Sequence, residues 1–344
     1  MKLIRADLDA AATQGVIGTD QAVALWSFLE QVNADRPGFR AAHILHYLGG
    51  LLAIMALGWF LPLGWEAFGG WGLMTLALSY AALGVWVLHR LQGRAGMAIP
   101  AGVVATFVLS LTPLAVYGAQ VGLGYWAEGR GYHDYYVYID WRWILMELAT
   151  LLVGAVMLWK YRLPYLVMPV AFTLWYLSMD LVPFLYGEGD PSWELRRFVS
   201  MWFGLGILLL ALWVDLRSRR DKDYAFWLYL FGAIAFWSGL TLMGSDSEIG
   251  KFFYLLVNLV MLAVGAMLGR RVFGVFGGLG VAGYVGHLAW RVFDHSLLFP
   301  LVLVAVGFAI VWLGVLWQRH ECALSTRLRA LLPVPLRELV ERAG

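Results

Sequence analysis

The sequence predicts an all-α, polytopic transmembrane helical bundle of about ten crossings, with a short cytoplasmic helix pair in front and both termini inside. Three observations carry this. Hydrophobic residues make up 61% of the 344 and charged residues only 14%, and mean hydropathy is +0.71; a soluble chain of this size needs far more polar surface. Ten apolar runs each approach the roughly 20 residues that span a ~30 Å hydrocarbon core. Basic residues flank these runs on alternate sides.

The runs lie at 42–62, 71–89, 97–118, 143–160, 162–183, 198–216, 224–243, 252–269, 272–290 and 296–317. With the N-terminus inside, 19 of the 25 Lys and Arg fall in inner segments and 6 in outer ones. Without the basic tail the split is still 14 to 6. Cytoplasmic loops collect positive charge, and a missed or extra helix would invert every later loop and spoil the asymmetry. A polar-lumen barrel would show short alternating segments instead.

Three regions follow. Residues 1–36 form a cytoplasmic module. Ile4 to Gln14 reads as a short helix stopped by Gly15, and Gly18-Thr19 opens a second one with Thr19 or Asp20 as N-cap. The apolar face of the second helix is Ala22, Leu25, Trp26, Leu29 and Val32. Two such helices bury little alone, so they pack on each other, on the membrane surface or on a protein partner. Residues 37–320 are the ten-helix domain. The first apolar run starts near Ala41, too far in for a cleaved signal peptide, so the first helix is its own insertion signal. Residues 321–344 are a basic amphipathic tail, broken at Pro333 and Pro335, that suits the inner leaflet.

Within the domain, the outer loop from Gln120 to Trp143 is rich in Tyr and Trp. It reads as an aromatic belt at the headgroups, or as a stacking platform with Glu128, His133, Asp134 and Asp140 as polar contacts. A shift of 111 residues lays Val153-Gly154-Ala155 on Val264-Gly265-Ala266, a weak helix-pair repeat in the same orientation. The ninth run carries Gly274, Gly277, Gly280, Gly283 and Gly286, a small-residue ridge able to contact two neighbouring helices. Pro164, Pro169 and Pro183 make the fifth run a candidate for kinking.

Ionisable groups in hydrocarbon are expensive and each asks for a reason. Glu147, Asp180 and His287 stand out, with Arg291 at the outer end of the ninth run. The topology puts all four in the outer half. The 111-residue shift lays Glu147 on Asn258, Tyr176 on His287 and Asp180 on Arg291. Two accounts compete. In one, Asp180 pairs with Arg291, and Glu147 hydrogen-bonds Asn258 or sits protonated, fixing helix register. In the other, these residues line an outward-opening cavity for a proton, cation or polar solute.

His43 and His46 share one face of the first run. Without a Cys, Asp or Glu nearby they read as interfacial histidines, and neither a metal nor a cofactor is expected. The net charge of +2 gives no reason to expect nucleic acid. The single cysteine, Cys322, permits no intrachain disulfide. No nucleotide-binding loop, zinc-protease helix, nucleophile elbow or CxxC is present in the sequence.

The stretch Gly15-Val16-Ile17-Gly18-Thr19-Asp20-Gln21-Ala22, after the helix containing Leu8, resembles the opening of bacterial membrane proteins catalogued as domain of unknown function 2157. There a helix ends in Gly-(Ile/Val)-Ile and Ser/Thr-x-x-Gln-Ala begins the next; here Gly18 takes the Ser/Thr place and Thr19 follows. The resemblance covers about the first 35 residues. It implies a bacterial inner-membrane location and carries no activity and no site residues. The leading expectation is therefore a non-enzymatic membrane assembly or signalling component, with the bilayer and a partner of residues 1–36 as its contacts. The alternative is a secondary transporter or solute sensor using Glu147, Asp180, His287 and Arg291. A weaker third is a membrane enzyme acting on lipid or a lipid-linked carrier, for which no nucleophile, metal or oxyanion site accompanies the two acids.

Overall fold

Gly69 holds φ 61° and ψ −178° inside an otherwise helical stretch, Ala41–Leu91. That combination is open essentially to glycine alone. It breaks the stretch between the first two apolar runs, where the sequence pattern separates them. The computed structural model describes residues 5–32, 41–94, 97–126, 141–186, 193–218, 223–243 and 247–293, with isolated positions between 301 and 312. Every regular element among them is helical: α1 (Arg5–Thr13), α2 (Thr19–Val32), α3 (Ala41–Leu91, broken at Gly69), α4 (Ala98–Gly122), α5 (Trp141–Tyr161), a 3₁₀ turn (Pro164–Leu166), α6 (Val167–Tyr186), α7 (Trp193–Arg217), α8 (Phe226–Leu242), α9 (Glu248–Leu268) and α10 (Arg271–Phe293).

Six helices among the described residues are long and apolar enough to cross a membrane: Phe68–Leu91, Ala98–Gly122, Trp141–Tyr161, Pro164–Val182, Trp193–Arg217 and Ile249–Leu268. Each matches one expected run. Of the other four, the first and seventh appear as shorter apolar stretches, Tyr47–Ala56 and Phe226–Leu242. The ninth is the glycine-rich α10, and the tenth lies almost wholly outside the described residues. Large apolar side chains such as Leu152, Trp159, Leu209, Ile249 and Phe253 stand exposed on these helices. Water would penalise such surface, and lipid would not.

The chain forms two compact units, Met1–Glu128 with Ala155–Leu166, and Gly129–Gly154 with Val167–Gly344. In the first, α1 and α2 pack through Leu8 and Ala22, both buried. Gly15, at φ +73°, ends α1 in a left-handed turn, with Val16 N–H reaching Ala11 O and Gly15 N–H reaching Ala12 O. That pairing satisfies two of the open carbonyls at the helix end. The N-cap of α2 is Gly18, not Thr19 or Asp20. Its carbonyl accepts from Ala22 N–H and its own N–H donates to Gln21 Oε1 at 3.0 Å, half of a capping box. Of the expected apolar face, Ala22 is buried and Trp26 and Leu29 are half-buried, while Leu25 is exposed.

α4 packs along the second limb of α3. The two approach at glycines: a Cβ on Gly118 would come within 2.7 Å of Gly70 O. The 3₁₀ turn also docks on α4, where Gly102 leaves room for the Tyr165 ring. Tyr165 and Tyr47 share a hydroxyl hydrogen bond of 2.7 Å. Pro164 opens this turn, and α6 runs as one helix through Pro169 and Pro183. Pro169 falls in the first turn, whose N–H groups have no intrahelical partner in any case.

In the second unit α7 packs with α8, α9 with α10, and α6 against both α7 and α8. Small residues again set the spacing. A Cβ on Gly239 would lie 2.7 Å from Arg197 O, and one on Gly277 would lie 2.7 Å from Asn258 O. Among the described residues the glycine ridge of α10 meets a neighbour on one flank. Gly277 and Gly280 meet α9, while Cβ atoms on Gly283 and Gly286 would meet nothing within 4 Å among the described residues. A three-residue step falls short of a helical turn, so the row rotates away from α9.

Candidate functional site

Glu147 lies six residues into α5 and Asp180 six residues before the end of α6, each about 9 Å from its helix terminus at 1.5 Å per residue. Both are buried, at 7% and 2% exposure. Their carboxyl groups are near enough to interact directly. Apart from each other, Glu147 Oε1, Glu147 Oε2 and Asp180 Oδ2 are buried without a hydrogen-bond partner among the described residues. The neighbouring hydroxyls explain part of this. Thr150 Oγ1 donates to Met146 O at 2.7 Å and Ser178 Oγ to Trp175 O at 2.6 Å. Each hydroxyl has one proton and spends it on its own helix.

The third member is Arg196, on the first turn of α7. Its charge acts on Asp180, its Nε has no hydrogen-bond partner among the described residues, and its guanidinium lies 5.4 Å over the Trp193 ring. Tyr176, one turn before Asp180, lies close to both acids and begins a row of rings. Trp143 stacks on Tyr176 at 6.5 Å, Tyr176 on Phe172 at 6.0 Å, and Phe172 meets Phe231 of α8 edge-on at 5.8 Å. The pair therefore sits in a water-poor, weakly screening environment. Such a site can hold a proton or a small cation.

The other expected site residues are elsewhere. Asn258 is fully buried and satisfied: Trp237 Nε1–H donates to its Oδ1 at 3.1 Å, and its Nδ2–H donates to Tyr254 O at 2.8 Å. The expected bond from Glu147 to Asn258 is not formed, because both ends of the amide are taken by α8 and α9. Asn258 instead fills the space over Gly280 and ties three helices. His287 is exposed on α10. The side chain of Arg291 lies outside the described residues, so the Asp180–Arg291 pairing does too. The same holds for the side chains of His43 and His46 and for the outer-loop residues Glu128, His133, Asp134 and Asp140. Trp126, from the start of that loop, folds back to donate to Gln120 Oε1 at 3.0 Å.

Sequence reasoning missed Arg196 as a site residue. It began the helix at 198, which left Arg196 in a loop, whereas α7 begins at Trp193. Sequence reasoning also missed a second polar cluster at the opposite end of α7. Gly269 (φ +67°) turns the chain after α9 and presents Arg270. Its Nε and Nη2 donate to Asp215 Oδ2 (3.1 Å) and Oδ1 (2.5 Å), and its Nη1 to Asp223 Oδ2 (2.6 Å). Tyr229 O–H also donates to Asp215 Oδ2 at 3.3 Å, and Asp223 Oδ1 accepts from Phe226 N–H at the start of α8. Burial works against the Arg270 charge, but the Asp215 hydrogen bond and the two carboxylates outweigh it and raise its pKa above the ordinary value. The readable signal was Asp215, an acid closing an apolar run just before a basic one. From Arg196 to Asp215 is 19 residues of helix, about 28 Å, close to the thickness of a hydrocarbon core.

Compared with protein-family models, curated proteins and solved structures, the chain matches none.

Proposed function

We propose that this chain is a bacterial inner-membrane protein of ten crossings with both termini cytoplasmic, and that it works as a proton-linked secondary transporter or solute sensor through Glu147 and Asp180. The observation that carries the reading is the set of three buried carboxyl oxygens that, apart from each other, have no hydrogen-bond partner among the described residues. A purely structural polar contact satisfies its groups, as Asn258 does. A desolvated acid pair beside an arginine costs stability, and a functional role is a reason to keep it. The biased distribution of basic residues supports the orientation, with Glu147, Asp180 and Arg196 towards the outside and the Arg270 cluster inside. The likeness of residues 15–22 to the domain of unknown function 2157 supports the bacterial location.

A second reading, an assembly or signalling component, draws on the N-terminal module. Val16, Val23 and Phe28 are exposed there, at 72%, 60% and 59%, and offer apolar surface to a partner protein. Accessibility separates the two. In a Cys322→Ser background, single cysteines at Thr150 and Leu177 are treated from outside with a membrane-impermeant maleimide, with Ser192→Cys as the outer-loop control. The transporter or sensor reading expects both to react. Silence at both, with the control labelled, would leave the acids packed and favour the assembly reading.

A further inference from the structure

We infer that Glu147, Asp180 and Arg196 form a one-proton site, in which Glu147 holds the proton and Asp180 keeps its negative charge opposite the Arg196 guanidinium. This rests on the same acid pair as the proposed function and names its ligand as a proton.

The geometry limits the choices. Two ionised carboxylates side by side in a buried space repel each other, and Glu147 Oε1, Glu147 Oε2 and Asp180 Oδ2 accept from no donor among the described residues. Two neutral acids would leave the Arg196 charge unanswered. One proton between two acids and one arginine makes the cluster neutral. Arg196 decides the side: its charge falls on Asp180, so that acid is the better anion. Among the described residues no cation acts on Glu147 and the group beside it is the Asp180 carboxyl, so Glu147 is the one that keeps the proton. Among the described residues the ionisable groups facing the pair are Tyr176 from α6, whose ring stacks on Trp143, and Arg196 from α7. α8 also packs on α6, and its one ionisable residue is Tyr229, bonded in the Arg270 cluster. A movement that withdrew Arg196, or let water reach Glu147, would change the affinity for that proton, which is the property a proton-linked cycle needs.

The test is infrared difference spectroscopy of the full-length protein in lipid membranes at neutral pH, reading the C=O stretch of protonated carboxyls and its shift on exchange into deuterated water. The wild type is expected to show one buried protonated carboxyl. Glu147→Gln is expected to lose the band, Glu147→Asp to shift its frequency, Asp180→Glu to leave it in place, and Arg196→Gln to double it, because the second acid then loses its counter-charge. Size-exclusion chromatography checks that each variant is folded. If Glu147→Gln does not fold, the wild type with Glu147→Asp, Asp180→Glu and Arg196→Gln still decides the matter. A wild type without the band, a band unchanged in Glu147→Gln, or no increase in Arg196→Gln would overturn the assignment. Maleimide labelling reports water and the infrared band reports the proton, so either reading can fail while the other stands.

Discussion

Replacing Gly280 by alanine tests the most crowded point between α9 and α10. The added Cβ would overlap Asn258 Oδ1 and Cγ and stand 2.5 Å from Nδ2. Asn258 is fully buried, so it has to rotate or the helices have to part. Rotation breaks two hydrogen bonds, from Trp237 Nε1–H at 3.1 Å and to Tyr254 O at 2.8 Å. Interhelical hydrogen bonds in membranes contribute about 0.6 kcal/mol each, up to roughly 1.7. Leaving a buried polar group unsatisfied costs about 1–3 kcal/mol. Together these put Gly280→Ala at a loss of about 2–4 kcal/mol. Asn258→Ala alone forfeits the bonds and strands the Trp237 N–H, at about 1–2 kcal/mol. In the double variant the clash disappears, so its loss should fall short of the sum by at least about 1 kcal/mol, the size expected of residues in contact. Equilibrium unfolding in mixed detergent micelles measures all three. Wild-type stability for Gly280→Ala, or strict additivity in the double variant, would refute the account of Asn258 as the packed link between α8, α9 and α10.

Arg270→Ala should strand Asp215, whose side chain is 7% exposed. Removing one partner of a buried pair costs about 3–5 kcal/mol, and the 20% exposure of Arg270 reduces this to roughly 2–4. Arg270→Lys should recover less than half of that in the same unfolding assay, because an ammonium cannot reproduce the two-pronged contact with Asp215. Gly69→Ala should destabilise by about 1–3 kcal/mol through backbone strain alone, since a Cβ there meets nothing within 4 Å; a wild-type melting temperature would remove Gly69 as the helix break. Leu177→Cys should react with external maleimide in the Cys322→Ser background more slowly than the Ser192→Cys control, because Leu177 is half-buried. Equal rates would mean an open vestibule at the acids.

The sequence by itself determined the class of this protein and the line of its helices. Hydrophobicity sustained over about twenty residues is a one-dimensional property, so six expected runs return as long apolar helices with ends shifted by a few residues. Glycine turns are equally local, and Gly15 stops α1 where the pattern said it would. Glu147 and Asp180 were readable as anomalies, because a carboxyl in an apolar run is conspicuous wherever its partner lies. Only the tertiary structure decided the partners. The 111-residue shift pairs Glu147 with Asn258 as corresponding positions, but among the described residues Glu147 meets Asp180 and Asn258 is tied to Trp237 and Tyr254. Arg270 reaches Asp215 across 55 residues of chain. Such contacts depend on which faces two helices turn to each other and at what depth. A helical period leaves both free until glycines such as Gly239 and Gly277 let the backbones close.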